Sequence, residues 1–388
     1  MKYLLHIDMD CFFAAVEERL NKRYVNKPMV VSLLASKSII CCANYQARSF
    51  GIRAAMPLFK ALKLCPSIYV CPPHFNQYER FNRLFVSLIK KHFTNIVEVC
   101  SIDECYVDIS SLAKSKEQAI KVGRNIQARI KKELGLSCSV GVSYNRFLSK
   151  MASDYKKPGG ITAIWQEDIP KMIWPQPVGN MLFIGDKTSK MLIANGIKTI
   201  GDFANEHNQS ILTQLLDKNW YAHYLHANGE GADDVFCDET APKSIGAEHT
   251  FNDNVDDSEE VERMIGSLLE EVYARMIKHK FFTKCINVKI KTDKGVAKTK
   301  SKTIPPTDNL EIISNIVYDL YQKNYSNTII RLVGVSLSSL VDKQSQVDLF
   351  HQTKEEKKDV NEIEEIIKSI NKRLEKNSIN TANKVLKN

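Results

Sequence analysis

Apolar and polar positions follow two rhythms along this chain, and the switches between them mark its elements. Residues 2–9 are rich in large apolar side chains, which predicts a buried strand. Helical spacing follows through residues 14–20. Residues 28–34 and 38–43 are two further strand candidates joined by a short polar turn. Residues 44–50 have helical spacing, and Gly51 is placed to end that helix. Residues 75–93 and 116–134 predict long amphipathic helices, the second closed by Gly135. Between them, residues 96–99 and 105–109 flank an acidic pair like the arms of a hairpin. Residues 137–143 read as a strand and 146–155 as a short helix.

This alternation describes an α/β or α+β unit. Lys157-Pro158-Gly159-Gly160 and the prolines 170, 175 and 177 mark its end. Residues 166–231 then predict a small helical domain, and 229–243 a polar linker. Residues 245–340 return to α/β character, with strands at 285–291 and 328–337. Beyond Val341 the composition shifts to Lys, Glu, Asn and Gln.

Composition sharpens this only modestly. At 388 residues, two to four domains are expected. A balance of 54 Lys+Arg against 45 Asp+Glu gives +9, which leans toward an anionic partner. The ten cysteines include no CxxC pair and no zinc spacing, so they read as reduced thiols of a cytosolic protein. Asp8 and Asp10 interrupt the first apolar stretch too early for a signal peptide, and no apolar run has membrane-spanning length. A cytoplasmic protein is expected.

The chemistry concentrates in three carboxylates beside apolar strands: Asp8, Asp103 and Glu104. Unpaired carboxylates are costly to bury there, and a divalent cation removes that cost. Oxygen ligands of this kind suit Mg²⁺, which takes one or two carboxylates plus substrate phosphates. Two metal ions about 3.5–4 Å apart neutralise the attacking and leaving oxygens of a phosphoryl transfer. Neighbouring residues on a regular strand point to opposite faces, so Asp103 and Glu104 serve one site only at a strand start or turn. A solvated hairpin tip is the competing reading of the pair.

Four stretches change the weighting. They are His6-Ile7-Asp8-Met9-Asp10-Cys11-Phe12-Phe13-Ala14-Ala15-Val16-Glu17, Ala43-Asn44-Tyr45-Gln46-Ala47-Arg48-Ser49-Phe50-Gly51-Ile52-Arg53, Ser101-Ile102-Asp103-Glu104-Cys105-Tyr106-Val107-Asp108, and residues 141–154 followed by Lys157-Pro158-Gly159. In order and spacing they resemble a Y-family translesion DNA polymerase of the DinB, or DNA polymerase IV, type. The resemblance covers nearly the whole chain. It implies an α+β multidomain right hand: a palm with a mixed or antiparallel sheet (1–10 and 77–165), small fingers (11–76), and a helical thumb with a helix–hairpin–helix (166–230). A linker (231–243), an α/β little finger (244–341) and a tail (342–388) complete it.

The resemblance also implies roles. Asp8, Asp103 and Glu104 hold two Mg²⁺ ions, with the Met9 carbonyl as a further ligand. Asp10 and Asp108 are not used by the family pattern. Phe13, beside Phe12, is a steric gate under the nucleotide sugar. Tyr45 and Arg48, three apart on a helix, join Lys157 on the triphosphate of a dNTP. Gly185-Asp186-Lys187-Thr188 lacks the P-loop glycines and resembles the thumb's helix–hairpin–helix, so Lys187 is placed near DNA phosphates.

Charge in the last domain is segregated: residues 253–271 carry eight acids and one base, residues 275–302 ten Lys/Arg and one acid. Lys289, Lys291, Lys298 and Lys300 are the expected contacts to the backbone of primer–template DNA. Gln346-Val347-Asp348-Leu349-Phe350 resembles the pentapeptide that binds the bacterial sliding clamp through its Gln, Leu and Phe. Residues 363–374 predict an amphipathic helix. A monomer without membrane association is expected.

Two departures from the family pattern stand out. Residues 33–38 lack the glycines and arginine that relatives often carry, and Arg146 follows Asn145 where Lys is more usual. The competing functions are a two-metal nuclease or nucleotidyl cyclase, and a non-catalytic DNA-binding clamp partner. A hydrolase needs no sugar gate or triphosphate clamp.

Overall fold

The structure, a computed structural model, describes residues 2–35, 38–216, 220–232, 234–237, 241–325 and 328–342. The chain divides into two compact units, residues 1–240 and 241–388.

The first unit runs β1 (Leu4–Met9), α1 (Phe12–Leu20), β2 (Met29–Val31), β3 (Cys42–Ala43), α2 (Tyr45–Ser49), α3 (Leu58–Leu64), β4 (Tyr69–Cys71) and α4 (Phe75–His92). It continues with β5 (Val97–Val99), β6 (Glu104–Asp108), α5 (Lys116–Leu134), β7 (Cys138–Ser143), α6 (Arg146–Tyr155) and β8 (Ile161–Ala163). Its main sheet has the order β5-β6-β1-β7-β8, antiparallel except for the last pair. Both faces of this sheet are covered, which is why β1 and β7 read as apolar runs rather than alternating ones. Gly123 of α5 faces Val140, Val142 and Leu5, whereas Gly141, on the other face of β7, lies against the backbone of α6.

Local signals set the helix ends. Ser115 caps α5 by accepting from the Gln118 N–H, and Gly135 closes it at φ 69°. Asn145 caps α6 by accepting from the Leu148 N–H.

The strands expected at 28–34 and 38–43 form an antiparallel pair but are shorter, β2 and β3. Val30, Ile40, Ala43 and Ile52 bury into a small core of their own with α3. Sequence reading missed α3 and β4, the latter pairing parallel with β2. Residues 36 and 37 of the atypical segment lie outside the described residues.

The helical segment contains α7 (Ile169–Met172), α8 (Asp186–Ala194), α9 (Ile200–Ala204), α10 (Gln209–Leu215) and α11 (Trp220–Ala227) around Leu192, Ile197, Phe203 and Leu212. The expected linker has no regular structure among its described residues before Ser244, yet part of it is pinned. Arg146 grips Glu98 through two hydrogen bonds of 2.6 Å and donates to the Asp234 carbonyl at 3.0 Å. Its guanidinium also lies 4.5 Å from the Tyr106 ring. A planar fork makes these contacts together; a lysine ammonium cannot, which gives the Arg146 departure a structural role.

The second unit runs β9 (Ser244–Val255), α12 (Ser258–Lys278), β10 (Phe281–Thr292), β11 (Ala297–Thr307), α13 (Leu310–Tyr325), β12 (Ile330–Ser338) and β13 (Val341–Asp342). The antiparallel order is β11-β10-β12-β9, and β13 pairs the start of β10. Ile286, Val288 and Ile290 bury against α12 and α13. The acidic stretch has a local reason: Glu259 and Glu260 occupy the first turn of α12, where the helix dipole favours negative charge, and Asp257 caps it.

Candidate active site

The site forms where β1 and β6 pair. Asp8 stands directly opposite Glu104 in the register, so both carboxylates leave the same face of the sheet. Asp103 precedes the first residue of β6, outside the regular strand. The Met9 N–H donates to its carbonyl at 2.9 Å and brings it alongside Asp8. This is the strand-start geometry that lets two adjacent acids serve one place. Ser101 Oγ donates to Asp103 Oδ1 at 2.6 Å. Burial raises the Asp103 pKa; the Ser101 bond opposes that, and the charges of Asp8 and Glu104 add to it.

A shell of cations balances these acids. Lys150, on α6, places Nζ 2.6 Å from Glu104 Oε2 and 3.0 Å from Asp8 Oδ2. Lys157 Nζ lies 2.8 Å from the same Asp8 oxygen and 2.6 Å from Asp154 Oδ1. Burial works against the charge on each lysine, but the surrounding carboxylates outweigh it and raise both pKa values. His6 Nε2 lies 3.4 Å from Glu104 Oε2, and its Nδ1 2.8 Å from Ser153 Oγ. The His6 contact and the Lys150 ammonium hold Glu104 well below the usual carboxylate range. Burial lowers the pKa of His6 itself. Ligand atoms of His6, Asp8 and Glu104 all lie within 4.8 Å of one another. The carboxylate oxygens of this set are partly buried and suit a hard divalent cation.

A cavity of about 300 Å³ opens beside the acids. It is lined by Asp8, Met9 and Asp103 on one side and by Phe12, Phe13, Tyr45, Arg48 and Lys157 on the other. The structure therefore gathers residues that the sequence spreads over some 150 positions. Phe13 stacks on Tyr78 with centroids 4.2 Å apart and planes 11° from parallel. Tyr78 in turn donates to Glu17 Oε1 at 2.5 Å, and His74 Nδ1 lies 2.9 Å from the same oxygen. The ring is thus braced from behind. Arg48 lies 4.7 Å from the Tyr45 ring and donates through Nε to the Ala43 carbonyl at 2.9 Å. The Tyr45 hydroxyl is buried with no hydrogen-bond partner among the described residues. Such an orphan beside a cavity is a group waiting for a ligand oxygen.

Other sequence candidates fall elsewhere. Asp10 is buried, and its carboxylate accepts from Ser137, Ser139 and the Gly159 N–H at 2.7, 2.7 and 2.9 Å, a fully occupied structural role. Asp108 accepts from the Ser110 N–H at 2.8 Å. Lys187 is exposed in the first turn of α8. The four lysines of the last domain are not on one surface. Lys298 and Lys300 stand opposite the buried Ile290 and Val288, so they share the helix-bearing face. Lys289 and Lys291 alternate to the other face, where Lys289 pairs with Glu248 at 2.8 Å. Gln346, Leu349, Phe350 and the expected C-terminal helix lie outside the described residues.

Sequence reading assigned no role to His6, Lys150, Asp154 or Tyr78. Lys150 and Asp154 were visible as an i,i+4 pair on a helix whose other positions are mostly apolar or small. Tyr78 repeats at helical spacing from Phe75, but only the fold brings it under Phe13.

Comparison with known proteins defines the class. Residues 7–154 match the impB/mucB/samB family, and residues 242–349 match the C-terminal domain of that family. A solved Y-family DNA polymerase chimera superposes with a TM-score of 0.80 at 25% identity, covering 88% of this chain and 99% of the other. The chain belongs to the Y-family of DNA polymerases, the translesion class. Two relatives narrow this further. The DNA polymerase IV of Ureaplasma parvum is 33% identical, covering 89% of this chain and 96% of its own. DNA polymerase IV 1 of Bacillus subtilis is 32% identical over 96% of this chain and 90% of its own. Within the family, the chain sits with the DNA polymerase IV type.

Proposed function

We propose that this chain extends a primer 3′-OH on a DNA template, using dNTPs, at the site built from Asp8, Asp103 and Glu104. The observation that carries the reading is the cross-strand pair Asp8–Glu104, with Asp103 entering the same corner beside a nucleotide-sized cavity. Asp8, Asp103 and Glu104, with the Met9 carbonyl, would hold two Mg²⁺ ions, which supply Lewis-acid neutralisation of the attacking and leaving oxygens. Everything else is the work of side chains. Glu104, its pKa held low by the His6 contact and the Lys150 ammonium, keeps its negative charge at the corner where the primer hydroxyl must lose its proton. Tyr45 offers an unpaired hydroxyl, and Arg48 and Lys157 offer cations, to the triphosphate. Fixed donors of this kind stabilise charge in the transition state without reorganisation. Phe13, braced by Tyr78 and adjoining Phe12, closes the floor under the sugar and leaves no room for a 2′-OH.

In this reading, residues 1–10 and 77–165 are the palm, 11–76 the fingers and 166–230 the thumb. Residues 231–243 are the linker and 244–341 the little finger. Lys187, Lys289, Lys291, Lys298 and Lys300 meet the DNA backbone, and 346–350 meet a sliding clamp. The protein acts in damage bypass as a cytoplasmic monomer; among the described residues, no helix is long and apolar enough to cross a membrane.

Primer extension separates the alternatives. Wild type should extend a primed template only with Mg²⁺, and Glu104→Ala should lose extension by several orders of magnitude while remaining folded. Mg²⁺-dependent cleavage without extension would instead support a nuclease, and neither activity a non-catalytic binder.

A further inference from the structure

Lys150 is the feature of the site that substrate chemistry does not explain. It does not line the nucleotide cavity. Its side chain is only 16% exposed, and its ammonium sits against oxygens of two different carboxylates, Glu104 Oε2 at 2.6 Å and Asp8 Oδ2 at 3.0 Å. A divalent ion shared by Asp8 and Glu104 would draw on the same two carboxylates. Mg²⁺ binds oxygen at about 2.0–2.1 Å, so an ammonium lodged against both carboxylates crowds it and repels its charge.

We propose that Lys150 is a resident cation that occupies the Asp8–Glu104 corner and competes with the divalent ion for it. This rests on the reading that these two carboxylates hold the ion. Asp154 supplies the alternative berth. It lies one helical turn further along α6, with Oδ2 3.7 Å from the Lys150 ammonium. A rotation about the lysine side-chain torsions therefore moves the charge from Asp8 and Glu104 to Asp154 without moving the helix. The design has two effects. Without the ion, Lys150 relieves the repulsion between paired acids held by one strand register. It also weakens ion binding until something else pulls the balance over. Lys157 shares Asp8 Oδ2 and is also held by Asp154, so a triphosphate that draws Lys157 away would free that oxygen and Asp154 together. Ion and nucleotide then load cooperatively, through competition for the same carboxylates.

The decisive measurement is Mn²⁺ binding to the full chain without nucleotide, read by electron paramagnetic resonance, on wild type, Lys150→Met, Lys150→Arg and Glu104→Gln. Lys150→Met should bind Mn²⁺ at least tenfold more tightly than wild type, and its EDTA-treated form should melt lower. Lys150→Arg keeps the charge and should stay near wild type. If Glu104→Gln binds Mn²⁺ as well as wild type, the reading of the site itself fails. If binding depends on Glu104 but folded Lys150→Met binds no more tightly, or more weakly, Lys150 merely orients Glu104 and the proposal is overturned. Wild type alone gives a second test should the Met variant not fold. The slowly exchanging Lys150 ammonium signal in a ¹⁵N-lysine NMR spectrum should shift or vanish on titration with Mg²⁺. A signal unmoved at saturating Mg²⁺ would equally refute the competition.

Discussion

Replacing Gly141 by alanine tests how the catalytic corner is held. Gly141 lies in β7 opposite His6 of β1, two residues before Asp8. A Cβ built there would lie 1.9 Å from the Ser149 carbonyl oxygen and 2.4 Å from the Ser153 nitrogen. Both atoms belong to the backbone of α6, so no side chain can swing aside. Since real Cβ contacts do not fall below 3.0 Å, α6 must retreat by about 1.1 Å or β7 must buckle. Overpacking of this kind costs roughly 1–3 kcal/mol. The functional loss should exceed the stability loss, because α6 carries Lys150 and Asp154 and leads into Lys157. Misplacing a catalytic constellation by about 1 Å can cost on the order of 10²-fold. Gly141→Ala should therefore lower the denaturation midpoint at unchanged m-value and reduce primer extension about a hundredfold under conditions where it is fully folded. A variant with wild-type midpoint and wild-type extension would show that the contact between β7 and α6 does not set the site.

Three further outcomes are expected. Phe13→Ala should incorporate ribonucleotides on the order of 10- to 200-fold better, because the ring braced on Tyr78 cannot retreat; unchanged discrimination in single-nucleotide kinetics removes the gate assignment. His6 has a pKa below its ordinary 6.5, because burial disfavours the imidazolium. Its contribution to stability is complete above that value and is lost as pH falls toward the lowered one. The metal-free protein should lose melting temperature as pH falls below about 6.5, His6→Gln should flatten that slope, and identical slopes would contradict the assignment. Leu349→Ala with Phe350→Ala should abolish binding to a bacterial sliding clamp by calorimetry, and retained binding would place the contact elsewhere.

Much of the fold was legible because it is encoded locally. The bounds of α5 and α6 were read directly from apolar spacing and Gly135, and the Ser115 and Asn145 caps of the structure agree. The three acids were legible because carboxylates beside apolar strands need a reason. The strand β4 was not, since three residues running from exposed Tyr69 to buried Cys71 carry no period, and neither was α3, seven residues of which only Leu58 and Ala61 are buried. The lysines of the last domain mark the limit of such reading: a charge count along the chain cannot tell the two faces of a sheet apart, whereas the register of β10 and β11 does.

Sequence alone thus determined the residue types, their order, the local elements and, through the motif resemblance, the class of chemistry. It could do so because side-chain identity and short-range periodicity are properties of the chain itself. Only the tertiary structure decided that Asp8 faces Glu104, that Tyr78 backs Phe13, and that Lys150 reaches the acids. Those depend on strand register and on the close approach of α6 at Gly141, and contacts between residues far apart in sequence exist only once the sheet has closed.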